Sequence, residues 1–235
     1  WAPDIVEQNG TFYMYYAVDE RIAVATASTP LGPFRQQEQA PMAPDSIKID
    51  AHVFIDDDGS KYFYYVGFDN GNHIWGARLN DNMMSVDTST MKHLIAPEAP
   101  WETHMANVAE GPVVLKHKGL YYMTYSGSHF ESPYYSVGYA VAEHPLGPWK
   151  KYEYNPVMQS TPFAHGTAHH SLTVSPDKSE MFIVYHQHYS LNQTEPRKIS
   201  IDRIRFVPQE SGPDRLEAWG PTVTPQPLPS GAKLH

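Results

Sequence analysis

Four times along the chain, apolar and polar positions fall into one order: a short strand, a tight turn, an aromatic-rich strand, and a third alternating strand. The turns are QNG (8–10), DDDG (56–59), KHKG (116–119) and SPDK (175–178). The aromatic strands are TFYMYYA (11–17), KYFYYVG (61–67), LYYMTYS (120–126) and EMFIVYH (180–186). The third strands are RIAVATAS (21–28), HIWGARLN (73–80), SVGYAVAE (136–143) and KISIDRIR (198–205). Pairs such as Ile22 and Val24, or Val137 and Tyr139, carry the period of two that marks half-buried strands. A repeat of about 50 to 60 residues built from short strands predicts an all-β chain folded as a β-propeller.

The blades are read as 1–40, 41–97, 98–158 and 159–210, with a proline-rich tail at 211–235 expected to run extended over the surface. PLGPF (30–34) returns as PLGPW (145–149), so the outer edges of the first and third blades are related. Segment 80–92 is polar and reads as a loop or an outer strand, and no helix of useful length is signalled.

Counting back nine residues from the last residue of each turn reaches Trp1, Asp50, Glu110 and His169. In a rotationally repeated fold, equivalent places converge on one axis, so an aromatic, two carboxyl groups and a histidine are expected to meet there. Asp56, Asp57 and Asp58 have the plainer reading of turn residues that bond the local backbone. Asp50 is different, because it stands on a strand among apolar residues, where aspartate is disfavoured and a buried carboxylate needs a partner or a task.

Glu110 precedes Gly111, which admits close approach, and Pro112, which removes a ladder donor. Two carboxyl groups at one axis suit glycoside hydrolysis, in which one is kept protonated by its charged neighbour and donates to the leaving oxygen. A structural pair is the alternative, with about even standing on residue logic alone.

In HGTAHHS (165–171), His170 reads as a satisfied core residue. His169 reads as a hydrogen-bonding group on the axis, ahead of the alternative of a metal ligand. Arg203 and Arg205 read as solvated surface residues.

Composition narrows the ligand. Acidic residues outnumber basic ones 26 to 17, for a net charge of -9, and no Lys/Arg cluster offers a phosphate surface, which argues against nucleic acid. Aromatics make up 13 %, 16 of them tyrosine, and flat rings stack well on sugars. There is no cysteine, so disulfides and thiolate metal sites are excluded while the compartment stays open: secreted, periplasmic or cytoplasmic. No run approaches the ~20 apolar residues of a membrane span, so the chain is expected to be soluble.

WAPDIVEQNGTFYMYYA, IDAHVFIDDDG, AEGPVVLKHKGLYYMTYSG, YYSVGYAVAEHPLGPWKKYEYNPV and HGTAHHSLTVSPD, in this order over nearly the whole chain, resemble glycoside hydrolase family 43. The resemblance implies a five-bladed β-propeller and inversion at the anomeric carbon of arabinofuranosides, xylosides and related plant polysaccharides. It further implies three carboxyl residues: a base Asp, an Asp that tunes the acid, and a Glu acid. By motif, Asp50 matches the tuning Asp and Glu110 the acid. Trp1 and Phe54 match residues of the sugar pocket, and Arg197 an arginine that contacts the sugar. His169 matches an axial histidine near a central calcium or water, so no cofactor is required but a structural calcium is allowed. Ala168 stands where relatives often have glycine.

The blade bearing the base Asp is expected ahead of Trp1, and Asp4, three residues along its strand, is no substitute. The resulting expectation is a family-43-like glycosidase, exo-acting on terminal arabinofuranose or xylose. The runner-up is a catalytically silent sugar-binding propeller, and a protein-interaction scaffold ranks last. An open blade edge also predicts a homodimer or a companion fragment.

Overall fold

The computed structural model describes residues 1–233. Four sheets form, one for each repeat. The first holds β1 (Asp4–Gln8), β2 (Thr11–Val18) and β3 (Arg21–Ala27). The second holds β4 (Ile49–Ile55), β5 (Lys61–Phe68), β6 (Asn72–Leu79) and β7 (Val86–Ile95). In the third are β8 (Ala109–His117), β9 (Leu120–Gly127), β10 (Ser136–Ala142) and β11 (Lys150–Lys151). The fourth comprises β12 (Ala168–Val174), β13 (Met181–Gln187), β14 (Lys198–Val207) and β15 (Arg215–Ala218). In every sheet the strands neighbour one another in chain order, the meander expected of a propeller blade. Among the described residues the helical element is one 3₁₀ turn, Pro100–Glu102, and no helix is long and apolar enough to cross a membrane.

The turns close as the sequence requires. Their last residues all take positive φ: 77° at Gly10, 82° at Gly59, 79° at Gly119 and 61° at Lys178, where only the lysine carries the cost of a side chain. The two PLGP motifs also do the same work. Beyond PLGPF, Arg35 bridges back to Thr26, and beyond PLGPW, Lys150 pairs with Val141, so each motif turns the chain into an outermost strand position. Segment 80–92 resolves into a turn followed by the outer strand β7.

The chain divides into two compact units. The first comprises 1–97, 109–121 and 142–149. Its core joins Tyr15, Ile22, Val53, Phe63, Tyr65 and Leu79, with the Tyr15 and Phe63 rings 5.5 Å apart. A tyrosine buried here brings ring area plus one hydroxyl that must be satisfied. Tyr15 donates to Met83 O at 2.7 Å and Tyr64 to Pro145 O at 2.9 Å.

The second unit comprises 98–108, 122–141 and the residues from 150 onward. It repeats the device with Tyr122 between Tyr139 and Phe206, its hydroxyl on Asp214 O at 2.9 Å. Beside them Glu102 is fully buried and accepts from Glu98 N, Ala99 N, Tyr125 Oη and Lys151 Nζ at 2.6–2.8 Å.

The tail departs from the expectation of a plain surface strap. Arg215–Ala218 completes the fourth sheet, pairing with Ile204–Val207. Arg203 is an anchor rather than a solvated residue: it pairs with Glu180 at 2.7 Å and donates to Pro227 O and Leu228 O. Ser230 adds bonds to Asp177 and Glu180. Composition alone hid this, because the prolines of 221–229 exclude that stretch from ladders but not from side-chain anchors.

Candidate active site

Asp50 and Glu110 meet within the first unit. Both are buried, at 6 % and 7 % exposed, and a carboxylate oxygen of each lies within 4.8 Å of the other's. The backbone explains how they reach this place. On β4, Ile49 pairs with Val66 and His52 with Tyr64, so Asp50 and Ala51 together face Tyr65. This is a β-bulge, which re-aims a side chain. Asp50 sits at φ 56°, an uncommon conformation for a residue with a Cβ.

On β8 the positive φ falls one residue later, at 57° on Gly111. Gly111 is expected to admit the close approach of a ligand or of backbone. Its observed role is to take this turn and present its N–H to Asp50 Oδ2 at 3.1 Å. Pro112 is accommodated because β8 is the end strand of its sheet.

Asn72, at the start of β6, donates its amide to Glu110 Oε2 at 2.7 Å. Sequence reasoning passed over Asn72, since a polar residue after FDNG reads as turn chemistry and its partner lies 38 residues away. Asp4 is committed elsewhere: its Oδ2 accepts from Val53 N at 3.0 Å and faces His52 Nδ1 at 3.2 Å. Asp4 is half-buried, and its carboxyl lies below the usual range because His52 and the backbone N–H groups outweigh the cost of desolvation.

Trp1 leaves its ring 69 % exposed while its carbonyl accepts from Ala17 N. Phe54 follows Asp50 on the same strand. It lies four residues along β4, roughly 13 Å at ~3.3 Å per residue. There it packs edge-on against Tyr121, whose hydroxyl donates to Asp56.

The second unit holds the remaining predicted residues. His169 also sits on a bulge: Ala168 pairs with His186 and Ser171 with Val184, so His169 and His170 face Tyr185 together, with φ 49° at His169. Ala168 is fully buried within this ladder. Plain alternation does not apply to the two histidines, yet they find different partners. His170 Nε2 meets Thr124 Oγ1 at 2.6 Å, while His169 N donates to Ser126 Oγ at 2.9 Å and its Nδ1 meets Tyr135 Oη at 3.1 Å. Calcium takes six to eight oxygen ligands, and His169 offers a nitrogen, so its ring suits a water-mediated contact rather than direct ligation.

His169, His186 and His188 form a row of roughly parallel rings at 6.4 Å spacing. Burial, with His169, Arg197 and His188 nearby, pushes His186 down to about 3, so it is neutral at ordinary pH. Arg197 is ion-paired with Glu195 at 2.8 Å and its guanidinium lies 5.7 Å over the Phe130 ring.

The comparisons with known proteins agree with this fold. The profile of glycosyl hydrolases family 43 matches residues 1–210. A solved structure described as a thermostable family-43 glycoside hydrolase superposes with TM-score 0.89 at 38 % identity, covering 99 % of this chain and 78 % of its own. The endo-1,4-β-xylanase structure from Bacteroides thetaiotaomicron gives 0.88 at 39 % identity, over 94 % and 75 %. The β-D-galactofuranosidase xynD of Aspergillus niger is 26 % identical over 224 residues, which cover 88 % of this chain and 62 % of that protein. The chain thus spans less than two thirds of that relative's length. With the sheet order, the blade repeat and the placed acids, the conclusion is that this chain is a member of glycosyl hydrolases family 43, with the family's all-β propeller fold.

Proposed function

We propose that this chain supplies the acid half of an inverting glycoside hydrolase that releases terminal α-L-arabinofuranosyl or β-D-xylosyl residues from plant cell-wall polysaccharides. The observation that carries this reading is the buried Asp50–Glu110 pair with a neutral amide on Glu110. Asn72 donates to Oε2 of Glu110, and the proton that Glu110 carries goes to the glycosidic oxygen as the bond breaks. The negative charge of Asp50 beside it opposes early ionisation of Glu110, and Gly111 N–H keeps Asp50 in place. Relatives described as a β-xylosidase from Xylanibacter ruminicola and an exo-α-(1→5)-L-arabinofuranosidase from Streptomyces avermitilis support the pentose assignment.

Inversion further needs a carboxylate about 6.5–9.5 Å from the acid to activate water. Asp4 is held by His52 and Val53, so we assign this task to an Asp of a preceding blade, outside these 235 residues. Arg197 and His169 of the second unit are assigned as sugar contacts, and Trp1 of the first unit as an aromatic surface for a sugar ring.

The test is a series of aryl arabinofuranosides and xylosides of graded leaving ability, hydrolysed by the full-length protein and its Glu110→Gln variant. A loss that grows as the leaving group becomes poorer supports Glu110 as the acid. Equal activity of the two proteins across the series removes it. Binding of xylo- and arabino-oligosaccharides with no product from either protein would instead favour a sugar-binding propeller.

A further inference from the structure

His188 lies one residue beyond β13, outside every motif read from the sequence, and is 3 % exposed. Its backbone N–H donates to His165 O at 2.8 Å. Its Nε2 lies 2.8 Å from Phe130 O, and because a carbonyl only accepts, Nε2 carries the proton. Phe130 belongs to the 128–135 connection between β9 and β10, and its ring is 40 % exposed. The ring packs beside His129 with centroids 4.8 Å apart, and the bond from His188 ties the Phe130 backbone beneath it.

Arg197 in turn lies over that ring, with Nε taken by Glu195 and, among the described residues, no other partner on the guanidinium's Nη groups. The site for the imidazole is also built. Gly166 takes φ 57°, and a Cβ there would collide with the His188 ring. The glycine therefore clears the space that the histidine fills.

We infer that His188 is a positioning residue: by pinning the Phe130 carbonyl it sets the aromatic platform that orients the Arg197 guanidinium toward the sugar. The inference rests on the assignment of Arg197 as a sugar contact. His188 itself touches no substrate. Its effect runs through one hydrogen bond and one cation–π contact, and a misplacement of about 1 Å at a contact residue is enough to cost activity heavily.

The experiment compares His188→Leu, His188→Gln, Gly166→Ala and Arg197→Ala in the full-length protein. The readouts are kcat and KM on 4-nitrophenyl α-L-arabinofuranoside and β-D-xyloside, hydrogen exchange of 128–135, and Tm. His188→Leu keeps shape without the donor and should raise KM roughly ten- to a hundredfold, with kcat little changed and exchange in 128–135 increased. His188→Gln returns a donor at the same reach and should recover most of the loss, while Gly166→Ala should reproduce it without altering His188. A merely structural role would lower Tm with no selective KM change and no rescue by glutamine, and that result overturns the inference. So does faster exchange at unchanged KM when Arg197→Ala alone raises KM. If Arg197→Ala leaves KM unchanged, the sugar-contact assignment falls and the inference falls with it.

Discussion

Glu110 and Glu102 are both buried glutamates, and the difference between them shows what separates a candidate catalytic acid from a structural one. Glu102, on the 3₁₀ turn, meets two backbone N–H groups, a tyrosine hydroxyl and the Lys151 ammonium. Its oxygens are spent on donors, and one of those donors carries the opposite charge. Glu110 meets the neutral amide of Asn72 and a second carboxylate within 4.8 Å. A cation beside a carboxylate fastens its ionised form, whereas a like charge nearby favours the protonated one. Burial alone would have placed the two in one class.

The largest expected effect is on turnover. Glu110→Gln should lower kcat on substrates with poor leaving groups by about 10²–10⁴, with Tm nearly unchanged. Glu102→Gln should do the reverse, costing stability while leaving activity per folded molecule intact. If both variants lost activity equally at full stability, the comparison would be empty. Lys151→Met sharpens it further. Removing the ammonium from a buried carboxylate should cost about 3–5 kcal/mol in chemical denaturation, without a change in KM.

Asp50→Asn comes next. Loss of the like charge lets Glu110 ionise more easily, so the basic limb of the pH–rate profile should move to lower pH, by about one unit for each 1.4 kcal/mol of interaction removed. An unmoved limb would reduce Asp50 to a structural partner of Gly111.

The smallest effect concerns the tail. Ser230, Ser175 and Ser179 hold the Asp177 carboxyl well below its ordinary value, and Arg203 and the Ser230 N–H lower Glu180. A depressed folded-state pKa means the contribution is complete above the ordinary carboxylate range and is lost as pH falls below it. Protection factors of amides in 226–231, measured against the intrinsic exchange rate at each pH, should therefore fall from about pH 4 downward, while those of the core strands hold. Protection that stays constant down to about pH 2 would show that the tail is held by other contacts.

Much of this was legible in the chain before any coordinates. The turns with Gly10, Gly59 and Gly119, the aromatic strands and the nine-residue offset to Asp50, Glu110 and His169 are local periodicities, and local backbone chemistry sets them. Local patterns do not state which residue of an inner strand takes the strained conformation. The positive φ falls on Asp50 and His169 themselves, where pairing with the neighbouring strand sets a bulge, but one residue later, on Gly111, beside Glu110.

Nor could the sequence disclose Asn72 on Glu110, Lys151 on Glu102 or His188 on Phe130. These bonds join residues 38, 49 and 58 positions apart. A polar side chain's task depends on the group that folding brings within 3 Å of it. The repeat determined the blades and pointed to the acids. Tertiary structure decided which acid is fastened to an ammonium, which stands beside a second carboxylate, and which neighbours hold them there.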